Sequence, residues 1–398
     1  MSILCVILIV LSALVLLVWL SRHRMISAEK RQGFALSEAY DPPNGPATDW
    51  PLISVIVAAK DEEACIADCV RTMLDQDYPH FELLVANDRS SDRTPDIVSE
   101  IARTEPRLRL VNITSLPEGW CGKNNAMQTA IAQARGPWIC MLDADCRQTS
   151  RASLRLAMQY ALDQRADLLS VLPNLEMKGF WENVVQPVCG GMLMIWFHPD
   201  KVNSPRHPHA YANGAFMLIQ RSAYLAVGTH EAVKDQVNED MHMAARLKAA
   251  GLRLVVVRNH GLYLVRMYTS LRAICRGWGR IFYGTFGTLR RLSISLMVLV
   301  LMGLLPYATA LLGLLALAAG AGPRGLVLAT AIVGLAAAGM QISVIYRFYK
   351  LLGARKDLAW TYPIGCLVSV YALGIALSKL RKGSRLSWRN TTYVRPGA

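Results

Sequence analysis

The 398-residue sequence predicts an α/β domain built on a mostly parallel sheet with helices on both faces. One N-terminal and two to three C-terminal transmembrane or re-entrant helices hold that domain at a membrane. Three observations predict this. From Pro51 onward, short β-branched runs alternate with helical stretches, the pattern of parallel βαβ units. Apolar stretches long enough to span a bilayer lie before and after that region. Two of the β-like runs end in acidic residues, at Asn87-Asp88 and Asp143-Ala144-Asp145, where open α/β sheets bind their ligands.

The first element, Ile3 to Leu20, carries no charge and is followed by Ser21-Arg22-His23-Arg24. Its length of about 18 residues suits a span. No lysine or arginine precedes it and no Ala-x-Ala cleavage site follows, so residues 1–24 read as an uncleaved anchor rather than a signal peptide. Residues 25–50 form a linker. In the domain over residues 51–270, Ile53–Ala58, Glu82–Ala86, Leu108–Val111 and Trp138–Leu142 read as strands. Helical patterns separate them near Ala64–Leu74, Thr94–Arg103 and Asn124–Arg135. Phe180–Phe197 is apolar but interrupted by Glu182, Asn183, Gln186 and Gly190-Gly191, too polar for a span. An interfacial helix that admits a lipid, or core packing, both suit it. Residues 271–292 predict a second interfacial helix, residues 293–378 the C-terminal membrane segments, and residues 379–398 a basic tail.

The membrane segments are Ser293–Gly320, Leu326–Tyr346 and Thr361–Leu377. Arg22, Arg24, Lys30 and Arg31 place the middle domain in the cytoplasm, as do Arg290 and Arg291. The tail, with Lys379, Arg381, Lys382, Arg385 and Arg389, also belongs inside. Three full crossings cannot join two cytoplasmic segments, so one stretch is expected to be re-entrant or interfacial. Thr361–Leu377 is the candidate, being the shortest and carrying Tyr362, Pro363, Ser369 and Tyr371. The net charge of +14 sits largely beside apolar segments, where anionic head groups would meet it. With no zinc-finger spacing or RNP-type motif, nucleic acid is excluded as a partner. The nine cysteines are scattered without C-x2-C pairs, as in a reduced cytoplasmic domain. His198, His207 and His209 lie among prolines and read as a loop. An Ala-, Leu- and Arg-rich composition suggests a bacterial inner membrane.

Chemistry concentrates in an ordered series. Two carboxylates one residue apart, Asp143 and Asp145, repel each other unless a divalent cation lies between them and an anion. Asp88 offers acceptors to a base or ribose, while Ser91, Asp92 and Thr94 suit the N-cap of the following helix. Gly119-Trp120-Cys121-Gly122-Lys123 supplies flexible backbone and one cation suited to a diphosphate, without Walker spacing. Asn238-Glu239-Asp240 precedes the helical stretch Met241–Ala250, where acidic residues also favour the helix dipole.

Together these elements resemble family 2 glycosyltransferases of the GT-A fold, over about Pro51 to Gly284. The membrane-bound, lipid-modifying branch fits best, the one with ceramide glucosyltransferases and hopanoid- or carotenoid-associated sugar transferases. The family's Pro-x-Arg-Asn-Glu-type segment reads here as Ala58-Ala59-Lys60-Asp61-Glu62, and its Asp-Asp-x-Ser-x-Asp-x-Thr as Asn87 to Thr94. Gly119 to Lys123 is similar to the branch's Gly-Trp-x-Gly-Lys. Arg276-Gly277-Trp278-Gly279-Arg280 matches the Gln/Arg-x-x-Arg-Trp motif only loosely, with order and spacing changed.

The resemblance implies inverting transfer of a sugar, from a nucleotide-sugar donor expected to be UDP-linked, to a membrane lipid. Asp240 would be the general base. Ala59, Glu62, Asp88, Lys123, Asp143, Arg276, Trp278 and Arg280 would bind the donor. Asp145 and Asp143 would hold the metal, Mn2+ or Mg2+. Gly214, Ala215 and Glu239 would line the acceptor side. Arg276 or Arg280 could contact the diphosphate, or the segment could be a membrane-surface helix with Trp278, Phe282 and Tyr283. A polyprenyl-phosphate sugar synthase, a processive polysaccharide synthase and a membrane scaffold with an inactive transferase domain stand as alternatives.

Overall fold

The computed structural model describes residues 1–29, 35–380, 385–388 and 391–394. Part of the predicted linker, with Lys30 and Arg31, and much of the predicted tail lie outside the described residues. In chain order the elements begin with α1 (Ser2–Glu29), β1 (Ala35–Leu36), β2 (Ile53–Ala59), α2 (Ile66–Leu74) and β3 (Phe81–Asp88). Next come α3 (Thr94–Ala102), β4 (Leu108–Ile113), α4 (Gly122–Ala132), β5 (Trp138–Asp143), β6 (Cys146–Gln148) and α5 (Ser153–Asp163). Then follow β7 (Leu168–Leu172), β8 (Asn174–Leu175), α6 (Phe180–Trp196), α7 (Pro199–Asn203), β9 (Phe216–Gln220) and α8 (Arg221–Ala226). The domain closes with α9 (Glu239–Ala249), β10 (Leu254–Asn259), β11 (Tyr263–Val265) and α10 (Leu271–Phe286).

The main sheet has strand order β1-β10-β7-β9-β5-β2-β3-β4 and is parallel except at β9, which runs antiparallel to β5 and β7. Side chains alternate between two apolar cores, as a period of two requires. Val55, Val57, Leu83, Val85, Cys140 and Leu142 enter one core; Ile56, Leu84, Ile139 and Met141 enter the other. Both faces are covered, which is why these strands read as continuous apolar runs. Central β2 pairs with β3 and β5 on either side, with Ala59 opposite Asn87 and Ala58 opposite Asp143. The two acidic strand ends therefore share one rim.

The membrane part comprises α1, α11 (Leu289–Val298), α12 (Leu305–Ala318), α13 (Arg324–Leu352) and α14 (Tyr362–Ser378). Ser2–Arg24, Leu289–Ala318, Arg324–Leu352 and Lys356–Ser378 are each long and apolar enough to cross a membrane. Between α11 and α12 the backbone forms a π-helical stretch, Leu299–Leu304. Pro306 has no N–H for the Met302 carbonyl four residues back. Trp19 Nε1 (3.1 Å) and Gln341 Nε2 (2.5 Å) donate to that carbonyl instead. Small residues let α12 and α13 approach: a Cβ on Gly313 would lie 2.5 Å from the Ala331 nitrogen.

The predicted interfacial helix over residues 271–292 ends earlier, at Phe286. Gly287 takes φ 62°, and the Thr288 hydroxyl accepts from Arg291 N to start a new helix, so Arg290 and Arg291 open α11. In α6 the first half is core: Glu182, Asn183 and Gln186 are buried, and Gly365 of α14 rests on the Val184 carbonyl. Farther along, Ile195 is 58% exposed. Helix α14 packs against α6 and α10 together, tying the α/β domain to the apolar helices.

Candidate active site

The loops that leave β2 and β3 are fastened to each other. Asp61, at φ 54°, accepts from Ser91 N (2.8 Å) and Ser91 Oγ (3.1 Å), and Lys60 Nζ donates to the Asp88 carbonyl (3.1 Å). The expected N-cap trio divides its roles. Asp92 accepts from Thr94 N (3.0 Å) as a cap does, while Ser91 reaches Asp61 and Thr94 Oγ1 accepts from Glu62 N (2.8 Å). Asp88 is buried and accepts from Arg89 at both oxygens, 2.8 and 3.1 Å. Gly122 abuts it so closely that a Cβ there would strike Asp88 Oδ2. Glycine at this position thus brings the start of α4 onto the rim.

Lys123, on that first turn, lies between two carboxylates: Nζ is 2.6 Å from Asp143 Oδ1 and 2.7 Å from Glu239 Oε1. These charges, with Asp240 beyond, hold its pKa well above the ordinary lysine value despite burial. Asp240 Oδ2 accepts from Gly214 N (2.8 Å) and Oδ1 from Met241 N (2.7 Å). Burial and the adjacent Glu239 raise Asp240 to about 7, against the opposing pull of Lys123 and the two N–H groups. A Cβ on Gly214 would sit 3.0 Å from Lys123 Nζ and 3.4 Å from Asp240 Oδ2. A carboxylate titrating near neutrality is what a general base requires.

Asp145 Oδ1 is sealed from solvent and has no hydrogen-bond partner. Burial first, then Asp143 and Glu62, push its pKa up to about 8. An orphaned carboxylate oxygen facing a second carboxylate fits a divalent cation. Among the described residues no three His, Cys, Asp or Glu side chains form a preformed metal cluster. Two carboxylates completed by substrate phosphate oxygens are the usual arrangement for Mg2+.

The structure gathers Asp88, Lys123, Asp143, Asp145, Gly214, Glu239 and Asp240 on one rim, with Glu62 within electrostatic reach of Asp145. Ala59 is core, 1% exposed, and Ala215 is buried beside Cys146. Arg280 donates to Tyr268 Oη (3.1 Å), and that tyrosine senses both Asp143 and Asp145. Trp278 turns the other way and packs on Phe282 in the helix cluster, and Arg276 is exposed on the surface. The reading from sequence missed Tyr268, a lone tyrosine with no motif around it. A Cβ on Gly277 would enter the Tyr268 ring, which is why glycine lies there. Asn238 ties α9 to α10, donating to Thr285 Oγ1 (2.8 Å) across Gly284.

Residues 54–228 match the family profile Glycosyl transferase family 2. The chain carries a family 2 glycosyltransferase domain. The profile match stops short of Glu239 and Asp240; the tertiary structure brings them to Lys123. A beta-monoglucosyldiacylglycerol synthase of Trichormus variabilis is 26% identical over 205 residues, 50% of this chain and 41% of that protein. A probable glycosyltransferase of Bacillus subtilis, YdaM, is 35% identical over 120 residues, 30% of this chain and 28% of that one. The chain thus spans less than half the length of these curated relatives. The mannosyltransferase PcManGT of Pyrobaculum calidifontis, solved with GDP-Man and Mn2+, superposes with a TM-score of 0.55 at 19% identity. That superposition covers 91% of this chain and 97% of the other, and shows that the family 2 domain has the GT-A fold.

Proposed function

We propose that the protein is an inverting glycosyltransferase that moves a sugar from a nucleotide-sugar donor, UDP-linked, to a hydroxyl of a membrane lipid. The observation that carries this is Asp240. It is a carboxylate raised to about 7, joined through Lys123 and Glu239 to the Asp143–Asp145 rim. Its helix docks through Asn238 on α10, which packs against membrane helix α14. A base so placed meets an acceptor arriving from the bilayer.

In this reading Asp240 takes the acceptor hydroxyl's proton as that oxygen forms its bond to the anomeric carbon. The bond from that carbon to the diphosphate breaks on the opposite face, and the nucleoside diphosphate leaves. Asp88 receives the base or ribose, Glu62 and the Ala59 backbone border the donor, and Lys123 and Arg280 face the phosphates. Gly214, Ala215 and Glu239 line the acceptor side. Asp143 and Asp145 would hold Mn2+ or Mg2+, which when bound neutralises charge developing on the leaving diphosphate. The likeness to glycolipid synthases and a Mn2+-bound GT-A structure supports the lipid acceptor and the cation. Arg22, Arg24, Arg290 and Arg291 flank the domain where the positive-inside rule puts cytoplasm, and the composition favours a bacterial inner membrane.

A donor screen on detergent-solubilised protein tests the proposal. Nucleotide release is followed from UDP- and GDP-sugars with Mn2+ and a lipid extract, beside Asp240→Asn. Release that needs both metal and lipid and is lost in the variant supports it. Folded protein with no release under any combination refutes it.

A further inference from the structure

Beside Asp240 is a small cavity of ≈ 10 Å³, bordered also by Gly214. Methionines wall it, Met217 and Met243 among them, and its polar edges are Asp240, Glu239 and His230. A cavity of this size holds one water, provided it finds two or more polar partners. His230 is 1% exposed. The chain reaches it through two successive residues at positive φ, Gly228 (87°) and Thr229 (57°). A β-branched residue rarely adopts such a backbone, and strain of this kind persists where the surroundings fix it.

Hydrogen bonding sets the imidazole's tautomer. Tyr224 Oη donates to Gln128 Oε1 (3.0 Å), an atom that only accepts. The tyrosine's single proton is then spent, so at 2.8 Å His230 Nδ1 must be the donor to Tyr224 Oη. Gln128 Oε1 and Tyr224 Oη also accept from the His230 backbone N–H, both at 3.1 Å. Burial and the nearby Lys123 charge keep the ring neutral, down to about 3. Nε2 is therefore left with a lone pair on the edge opposite Tyr224.

We propose that His230 is a positioning residue for Asp240, acting through one water in this cavity that donates one hydrogen to Nε2 and the other to the Asp240 carboxylate. The inference rests on Asp240 being the base. The water completes the set of donors, with Gly214 N and Met241 N, that hold the carboxylate toward the acceptor. Other ionisable groups facing Asp240 are Lys123 from α4, its own neighbour Glu239, and Tyr211 from the loop before β9. None of them supplies a donor from the cavity side. Glutamine offers an acceptor oxygen in place of Nε2, whereas phenylalanine fills the space and offers none.

The test measures kcat/KM against pH, donor affinity and thermal unfolding for the wild type, His230→Phe, His230→Gln, Tyr224→Phe and Asp240→Asn. Expected for His230→Phe is an acid limb about one pH unit higher and a roughly fivefold loss of rate at pH 7, from one lost charge-assisted hydrogen bond. Donor affinity should hold, and His230→Gln should restore the wild-type profile. Tyr224→Phe, which releases the tautomer, should shift the limb in the same direction by less, and it carries the test if His230→Phe does not fold. An unshifted acid limb in folded His230→Phe or Tyr224→Phe, while Asp240→Asn is inactive, overturns the role of His230 alone. Full turnover in Asp240→Asn overturns both this inference and the assignment of the base.

Discussion

Replacing Lys123 by methionine removes the cation between Asp143 and Glu239 while nearly keeping its length. The lysine side chain is 16% exposed and Glu239 is 9% exposed, whereas Asp143 is 36% exposed. Stranding one partner of a buried ion pair costs about 3–5 kcal/mol, and an exposed pair contributes about 0–1. Glu239 therefore sets the loss at about 3 kcal/mol, with at most about 1 more from Asp143. For a domain of this size that is a fall in Tm of roughly 6–16 °C. The assay is thermal unfolding of purified protein, run as a double-mutant cycle with Glu239→Gln. Neutralising Glu239 in the Lys123→Met background should return most of the lost stability. A single-variant loss below about 1 kcal/mol, or no recovery in the double variant, would show that Lys123 is not the electrostatic centre of this site.

Further outcomes follow from the same geometry. With Asp240 raised to about 7, the proposed role of its anion as base predicts that kcat/KM levels off above about pH 8 and falls about tenfold per unit below about 6. Its folded pKa exceeds the unfolded value, so ionisation favours unfolding; stability should decline from about pH 4 to 7, and Asp240→Asn should flatten that decline in unfolding measurements. Mn2+ at a hundred times its Kd should stabilise the protein by about 2.7 kcal/mol, and Asp145→Asn should abolish that rise in Tm. Gly277→Ala pushes a Cβ into the Tyr268 ring and should cost about 1–3 kcal/mol with a fall in kcat/KM; Gly190→Ala, with nothing within 4 Å, should leave stability within about 1 kcal/mol. For topology, eight of the nine native cysteines are buried, so an introduced thiol reports clearly. Ala319→Cys should react with an external membrane-impermeant reagent and Ser378→Cys should not; reaction at both positions would place α14 as a full crossing.

Much of the fold was legible in the residues themselves. Short continuous apolar runs at Ile53–Ala59, Phe81–Asp88 and Trp138–Asp143 mark strands buried on both faces, because alternating side chains enter opposite cores. Long uncharged runs mark membrane helices, because a bilayer tolerates no charge along such a length. The Asp143-Ala144-Asp145 and Asn87-Asp88 ends could be placed on one rim because parallel strands all deliver their carboxyl ends to the same side. Local pattern sufficed for each of these, since the cause acts within a few residues.

Tertiary structure alone decided the rest, for the opposite reason. Lys123 and Glu239 are 116 positions apart, and only the tertiary fold makes them a buried ion pair that helps hold the lysine's pKa up. Trp278 and Arg280 lie two residues apart, yet one faces an apolar cluster and the other the Tyr268 hydroxyl, since successive helical positions diverge by about 100°. Tyr268 and His230 carry no spacing that announces them. Their roles come from what packs over them: Gly277 beneath one ring, and a water-sized cavity beside the other.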